Sequence, residues 1–154
     1  MLTDDSKKVL LSRLENVDEG YKRYAYDDAT GNRVKAPQGN LTIGIGFNLD
    51  CGCPQDLARI IAYYFIDQND IILSKCISSY NKLDQIRQIV CGDILFNLGF
   101  SRFAKFKDFM GALEELDYSK AAEAMKNSLW HQQLESRVDR LAQEMESGHL
   151  AGDG

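Results

Sequence analysis

The feature that most constrains this chain is a change of period at Pro54. For about 95 residues beyond it, strand signals vanish and apolar residues recur at helical spacing. Pro54 suits the first position of a helix, and Leu57, Ile60, Ile61, Tyr64 and Phe65 form the expected apolar face of the helix it opens. Asp84 is the expected N-cap of the next, in which Ile86, Ile89, Val90, Ile94, Leu95 and Phe96 point all round. A helix apolar on every side belongs in the middle of a bundle. Phe106, Phe109, Met110 and Leu113 predict another helix, Ala121, Ala122 and Met125 a short one capped near Ser119, and Leu134, Val138, Leu141 and Met145 a last one.

Before Pro54 the pattern differs. Leu10, Leu14, Val17 and Tyr21 predict one amphipathic helix, with N-cap oxygens at Asp4, Asp5 and Ser6 and a stop at Gly20. Tyr24-Ala25-Tyr26 and Leu41-Thr42-Ile43-Gly44-Ile45-Gly46-Phe47 then place aromatic and β-branched residues at period two, around Asp, Gly and Asn. That pattern predicts a small antiparallel sheet. Asn32 to Asn40, with Pro37 and Gly39, reads as a long exposed hairpin loop. The expected class is α+β: one domain over 1–154, with a first helix and small sheet in 1–53, a helical lobe in 54–154, and a cleft between the two lobes.

Composition removes several functions. With 154 residues, 44% hydrophobic and 27% charged, the chain has the balance of one globular domain. No apolar run approaches the roughly 18 residues of a membrane span. Asp4, Asp5, Lys7 and Lys8 near Met1 argue against a signal peptide. Cys51, Cys53, Cys76 and Cys91 are therefore expected as reduced thiols. Cys51-Gly-Cys53 is too tightly spaced for a zinc knuckle, and His131 and His149 show no paired-ligand spacing, so no metal is expected. A net charge of −5 does not favour nucleic acid. The basic run Arg102-Phe103-Ala104-Lys105-Phe106-Lys107 reads as a solvated helical face.

Two carboxyls have the environments that acid–base chemistry needs. Glu19 ends the first helix, where the negative end of the helix dipole and apolar neighbours disfavour a charged carboxylate; that is the profile of a general acid. Asp28 lies in a polar turn, where donors and water favour the ionised form. Such a pair serves glycoside hydrolysis, in which one group protonates the leaving oxygen and the other assists water or forms a covalent bond. Among 23 acidic residues the pairing alone is weak.

The whole stretch Glu19-Gly20, Tyr24-Ala25-Tyr26-Asp27-Asp28-Ala29-Thr30-Gly31 and Leu41-Thr42-Ile43-Gly44-Ile45-Gly46 is more specific. It resembles the active-site segment of the phage-type lysozymes of the T-even kind, glycoside hydrolase family 24. Leu83-Asp84 and Phe96-Asn97-Leu98-Gly99 resemble that family's central helix, and Asn127-Ser128-Leu129-Trp130-His131-Gln132-Gln133 with Arg137 and Arg140 its penultimate segment. The pattern runs without a gap from Leu83 to Gly148.

The resemblance implies a lysozyme-like fold and a muramidase, or peptidoglycan hydrolase, that cleaves the β-1,4 bond between N-acetylmuramic acid and N-acetylglucosamine with inversion and without cofactor. Glu19 is then the general acid, Asp28 the catalytic carboxylate and Thr42 the hydroxyl that orients water. Arg137 holds Glu19, and Phe96, Asn97 and Trp130 contact the glycan strand. The implied setting is a monomer made in the cytoplasm that reaches the bacterial wall through a membrane pore or as part of a virion. Phe47 stands where the family often has His, Asn32 to Asn40 is longer than usual, Phe47 to Leu83 is shorter, and the net charge is acidic. The rival reading is a catalytically inactive lysozyme-fold module that binds peptidoglycan or a protein partner.

Overall fold

The computed structural model describes residues 1–27, 29–35 and 38–151. Helix α1 spans Asp4–Arg13 and is capped by Thr3, whose hydroxyl accepts from Ser6 N at 3.2 Å. The cap is thus one residue before the expected trio, and Asp4 and Asp5 occupy the first turn, where the helix dipole favours negative charge. The helix continues as a π-helical turn over Leu14–Asp18. Glu19 N and Gly20 N both donate to Leu14 O, at 2.9 and 3.2 Å, and Gly20 leaves the helix at φ +73°. Leu10 and Leu14 are buried as expected, whereas Val17 is exposed.

The sheet is smaller than the period-two pattern predicts. Strands β1 (Thr42–Ile43) and β2 (Phe47–Asn48) pair antiparallel, Thr42 opposite Asn48 and Ile43 opposite Phe47. The stretch 41–47 is therefore a hairpin and not one strand. Gly44 and Gly46 have φ of +60° and +75°, a left-handed backbone that turns the chain back on itself. A Cβ at either position would meet nothing within 4 Å, so conformation and not close approach calls for glycine here. An isolated bridge joins Tyr26 to Arg33. The long loop of 32–40 is thereby anchored at its start, and Ala36 and Pro37 lie outside the described residues.

Helix α2 (Gln55–Cys76) follows Pro54, which caps it from the position before the expected one. Its predicted apolar face is the main departure from expectation. Ile60, Ile61, Tyr64 and Phe65 are 65%, 44%, 59% and 50% exposed, and Ile66, Asp70 and Leu73 turn inward instead. The pattern identified a helix but not its buried side, because its apolar residues cover more than one face. The buried Asp70 accepts from Tyr80 Oη at 2.8 Å and from Leu2 N at 3.2 Å, which ties the N-terminus down.

The remaining helices are α3 (Gln85–Leu98), α4 (Phe100–Phe103), α5 (Lys107–Glu114), α6 (Tyr118–Lys126), α7 (Leu129–Gln133) and α8 (Glu135–Ser147). Asp84 caps α3 as expected, its carboxylate accepting from Arg87 N at 3.0 Å. Gln88 to Leu95 are all buried, so α3 is the central helix. Asp117, and not Ser119, caps α6. Leu73, Val90, Ile94, Phe109, Leu113, Met125, Val138, Leu141 and Met145 form the main core, and Leu2, Leu10, Leu14, Ile66 and Ile89 a smaller one under α1. Helix α1 packs on α2 and α3 and so belongs physically with the helical lobe. The architecture is α+β, a small sheet beside a helical bundle. No helix among the described residues is long and apolar enough to cross a membrane.

Candidate active site

Glu19 emerges where the π-helical turn ends. Its Oε1 accepts from Arg137 Nη1 at 2.9 Å, and its side chain is 40% exposed. The carboxyl reaches a pocket of about 280 Å³ walled by Leu11, Leu14, Tyr21, Tyr26, Ala58 and Phe96. Glu15 and Arg59 close its rim as an ion pair at 3.0 Å. Such a pocket offers apolar surface to a ring-shaped ligand and one acid to a polar atom within it.

Arg137 comes from α8 and is nearly buried. Its Nε and Nη2 donate to Asp93 Oδ1 at 3.0 and 2.8 Å, which leaves Nη1 for Glu19. Asp18, the residue before Glu19, points inward and accepts from Arg140 Nη2 at 2.9 and 3.1 Å. Arg13 of α1 donates to Glu144 at 2.7 Å and stands 3.6 Å from Asp93 Oδ2. Burial pushes the Asp93 carboxyl above its usual range and Asp18 adds to that, while Arg137 and Arg13 pull it back. Burial also works against the Arg137 cation, yet Asp93, Glu19 and Asp18 outweigh it and hold the guanidinium above its ordinary value. Glu19 and Arg137 thus meet as the sequence predicts. The rest of the network was missed, although Asp93 as the lone charge in the buried stretch from Gln88 to Leu95 already demanded a partner.

The other predicted residues are distributed differently. Asp28 lies outside the described residues. Beside it, Asp27 Oδ1 accepts from Ala29 N at 2.8 Å, so this acid holds the turn. Thr42 is exposed on β1; its hydroxyl donates to Asn40 O at 3.2 Å and can still accept. Phe96 lines the Glu19 pocket. Trp130 is buried and its Nε1 donates to Asn97 Oδ1 at 2.8 Å. It lines a second pocket of about 450 Å³ with Phe106, Arg102 and Lys105. Arg102, Lys105 and Lys107 are exposed, as a solvated face requires.

The four cysteines are free thiols; burial pushes the Cys91 thiol up from its ordinary value. His131, Glu135 and Asp139 bring one nitrogen and two carboxylates within 4.8 Å of one another, the group among the described residues best disposed toward a cation. His131 Nε2 already pairs with Asp139 at 3.0 Å, and both acids are exposed, so the trio reads as a surface hydrogen-bonded pair with a neighbour.

No family profile matches the chain. It is 35% identical over 83 residues to "Probable T4-type lysozyme 2" of Dictyostelium discoideum, covering 53% of this chain and 49% of that protein. It is 27% identical over 124 residues to "Probable T4-type lysozyme 1" of the same organism, covering 80% of this chain and 69% of that protein. It is also 24% identical over 181 residues to the "Pre-baseplate central spike protein Gp5" of Enterobacteria phage T4, covering 99% of this chain and 30% of that protein. The match thus spans about half the length of the first relative and under a third of the phage protein. In sequence the chain is similar to proteins named as T4-type lysozymes, and its α+β architecture, a small sheet with a helical bundle, is consistent with that likeness.

Proposed function

We propose that the chain is a lysozyme-like peptidoglycan hydrolase, a muramidase that cleaves the β-1,4 bond between N-acetylmuramic acid and N-acetylglucosamine. The observation that carries this reading is Glu19, a partly exposed acid gripped by Arg137 at the edge of an apolar pocket. The names of the T4-type relatives support the same reading. Glu19 gives its proton to the glycosidic oxygen as the bond to the anomeric carbon breaks. A water oriented by Thr42 attacks that carbon from the opposite face, and Asp28 takes the water's proton. The product has inverted configuration.

Thr42 suits its role because one hydroxyl proton is committed to Asn40 O while its lone pairs remain available to water. Phe96 presents its ring to the sugar from the pocket wall. Asn97, whose Oδ1 accepts from the indole N–H of the buried Trp130, is held by it toward the glycan-binding face. The reaction needs no cofactor. Its setting is the bacterial wall, reached by a monomer through a membrane pore or from within a virion.

Purified Glu19→Gln tests the reading. A general acid contributes about 100- to 10,000-fold, so the variant should lose at least two orders of magnitude in clearing a wall suspension at unchanged fold. NMR of the first reducing sugar released should show the inverted anomer. A wild-type chain that binds walls without hydrolysing them would favour the inactive module instead, and an active Glu19→Gln would remove the acid from the site.

A further inference from the structure

We propose that Asp93 is a positioning residue that aims the arginine holding Glu19 and offsets that arginine's charge. This rests on the reading of Glu19 as the acid. A guanidinium is planar, so fixing one edge aims the other. Asp93 Oδ1 takes the Nε and Nη2 edge of Arg137, and Nη1 then has one direction left, along which Glu19 Oε1 lies at 2.9 Å. Asp93 is fully buried in the central helix and cannot exchange this partner for water.

Among the described residues, the charged and titratable groups about this pair come from several elements. Helix α1 supplies Arg13, the π-helical turn Asp18 and Glu15, the segment after Gly20 the phenols of Tyr21 and Tyr26 on the pocket wall, helix α2 Arg59, helix α3 Asp93, and helix α8 Arg137, Arg140 and Glu144. Glu15 and Arg59 neutralise each other at the rim. Inside, three cations (Arg13, Arg137, Arg140) face three buried carboxylates (Asp18, Asp93, Glu144), whose side chains are 3%, 0% and 1% exposed. The cluster is balanced without Glu19, which stands at its open end as a fourth carboxyl.

That balance has a function in acid catalysis. Arg137 alone would favour ionised Glu19 and remove the proton the reaction needs. Asp93, bonded to the same guanidinium, offsets that cation where it acts on Glu19. Burial works against the charged form of Asp93, and Arg137, bonded to its Oδ1, with Arg13 at 3.6 Å from Oδ2, works for it. Arg137 can therefore orient the acid while Asp93 offsets part of the charge that it brings.

The test is the titration of Glu19 followed by NMR of the carboxyl-¹³C-labelled chain, alongside the pH profile of wall hydrolysis. Asp93→Asn keeps the shape and removes one buried negative charge, so the Glu19 midpoint and the alkaline limb of the profile should both move to lower pH, by about half a unit or more. Arg13→Gln removes one cation and should move both to higher pH. The double variant should return them toward the wild-type position, which a merely structural role would not do. Where Asp93→Asn does not fold, Arg13→Gln carries the test alone. A Glu19 midpoint unmoved by either substitution overturns the proposal whether or not the chain hydrolyses walls. A midpoint that moves as expected in a chain without hydrolytic activity upholds the coupling and overturns the muramidase reading instead.

Discussion

The helical bundle and the segment from Gly20 to Cys53 are held together by different forces. In the bundle, Ile94, Phe103, Phe109, Leu113, Met125, Val138, Leu141 and Met145 expose nothing to solvent. At about 1.5 to 3 kcal/mol for each large apolar side chain removed from water, this burial dominates the stability of the domain. Between Gly20 and Cys53 only Gly52 is buried among the described residues. Polar links do the holding there: Tyr21 Oη donates to Cys53 O, Cys53 N to Arg23 O, Leu41 N to Asp50 Oδ2 at 2.8 Å, and the Arg33 guanidinium lies 3.8 Å from the centre of the Tyr24 ring. The acid stands at the junction, fixed by the bundle on one side and facing the softer segment on the other. The contrast teaches that the candidate site is anchored by the bundle and faces a short segment held by polar links.

The strongest challenge to the contrast is in the bundle. Phe109→Ala removes a fully buried ring that meets Phe103 edge-on and stacks on Phe106, and should cost about 3 to 5 kcal/mol in denaturant unfolding. Ile45→Ala, at the fully exposed tip of the hairpin, is the matching control and should leave the midpoint unchanged. Comparable losses at the two positions would abolish the distinction.

A smaller effect would sharpen it. Tyr21→Phe deletes the donor to Cys53 O and should remove about 1 kcal/mol, read as faster amide exchange at Cys53 and Leu49. Amides of α3 and α8 should keep their protection. Uniform acceleration across the chain would mean that the two regions open together.

The smallest effect concerns an exposed polar link at the surface of the bundle. Glu114 accepts from the Ser78 hydroxyl and from the backbone N–H groups of Ser78 and Ser79, and its carboxyl is held below the usual range, first by the hydroxyl and then by the amides. A depressed folded value means stability that is present above about pH 4.3, the ordinary glutamate value, and lost as pH falls through the folded one. Glu114→Gln should therefore be less stable than wild type near neutrality, with the gap closing on acidification below that pH. A gap independent of pH would show that shape and not charge makes this link.

The sequence made the bundle legible because its signals are local and repeated. Asp84 at a cap and Val138, Leu141 and Met145 at helical spacing all sit where the pattern predicts. Helix α2 was read on the wrong face because Ile60, Ile61, Tyr64 and Phe65 compete with Ile66 and Leu73, and only tertiary packing decides between the two sets. The strand reading of 41–47 failed because Gly44 and Gly46, at positive φ, are the turn itself. Around the candidate site, the contact between Glu19 and Arg137 was legible through the family-like motifs that carry them. Asp18, Arg13 and Glu144 were not, since their burial arises from the meeting of helices far apart in sequence.

That distance gives the site a history as well as a geometry. Glu19 and Arg137 are separated by 118 positions, and Arg13 and Glu144 by 131. Closing contacts across such loops comes late in folding, after local helices have formed, because the entropy of the intervening chain must first be overcome. The π-helical turn presents Glu19 without its partner until α8 has packed against the central helix, so the Glu19–Arg137 contact reports on the assembly of the whole bundle.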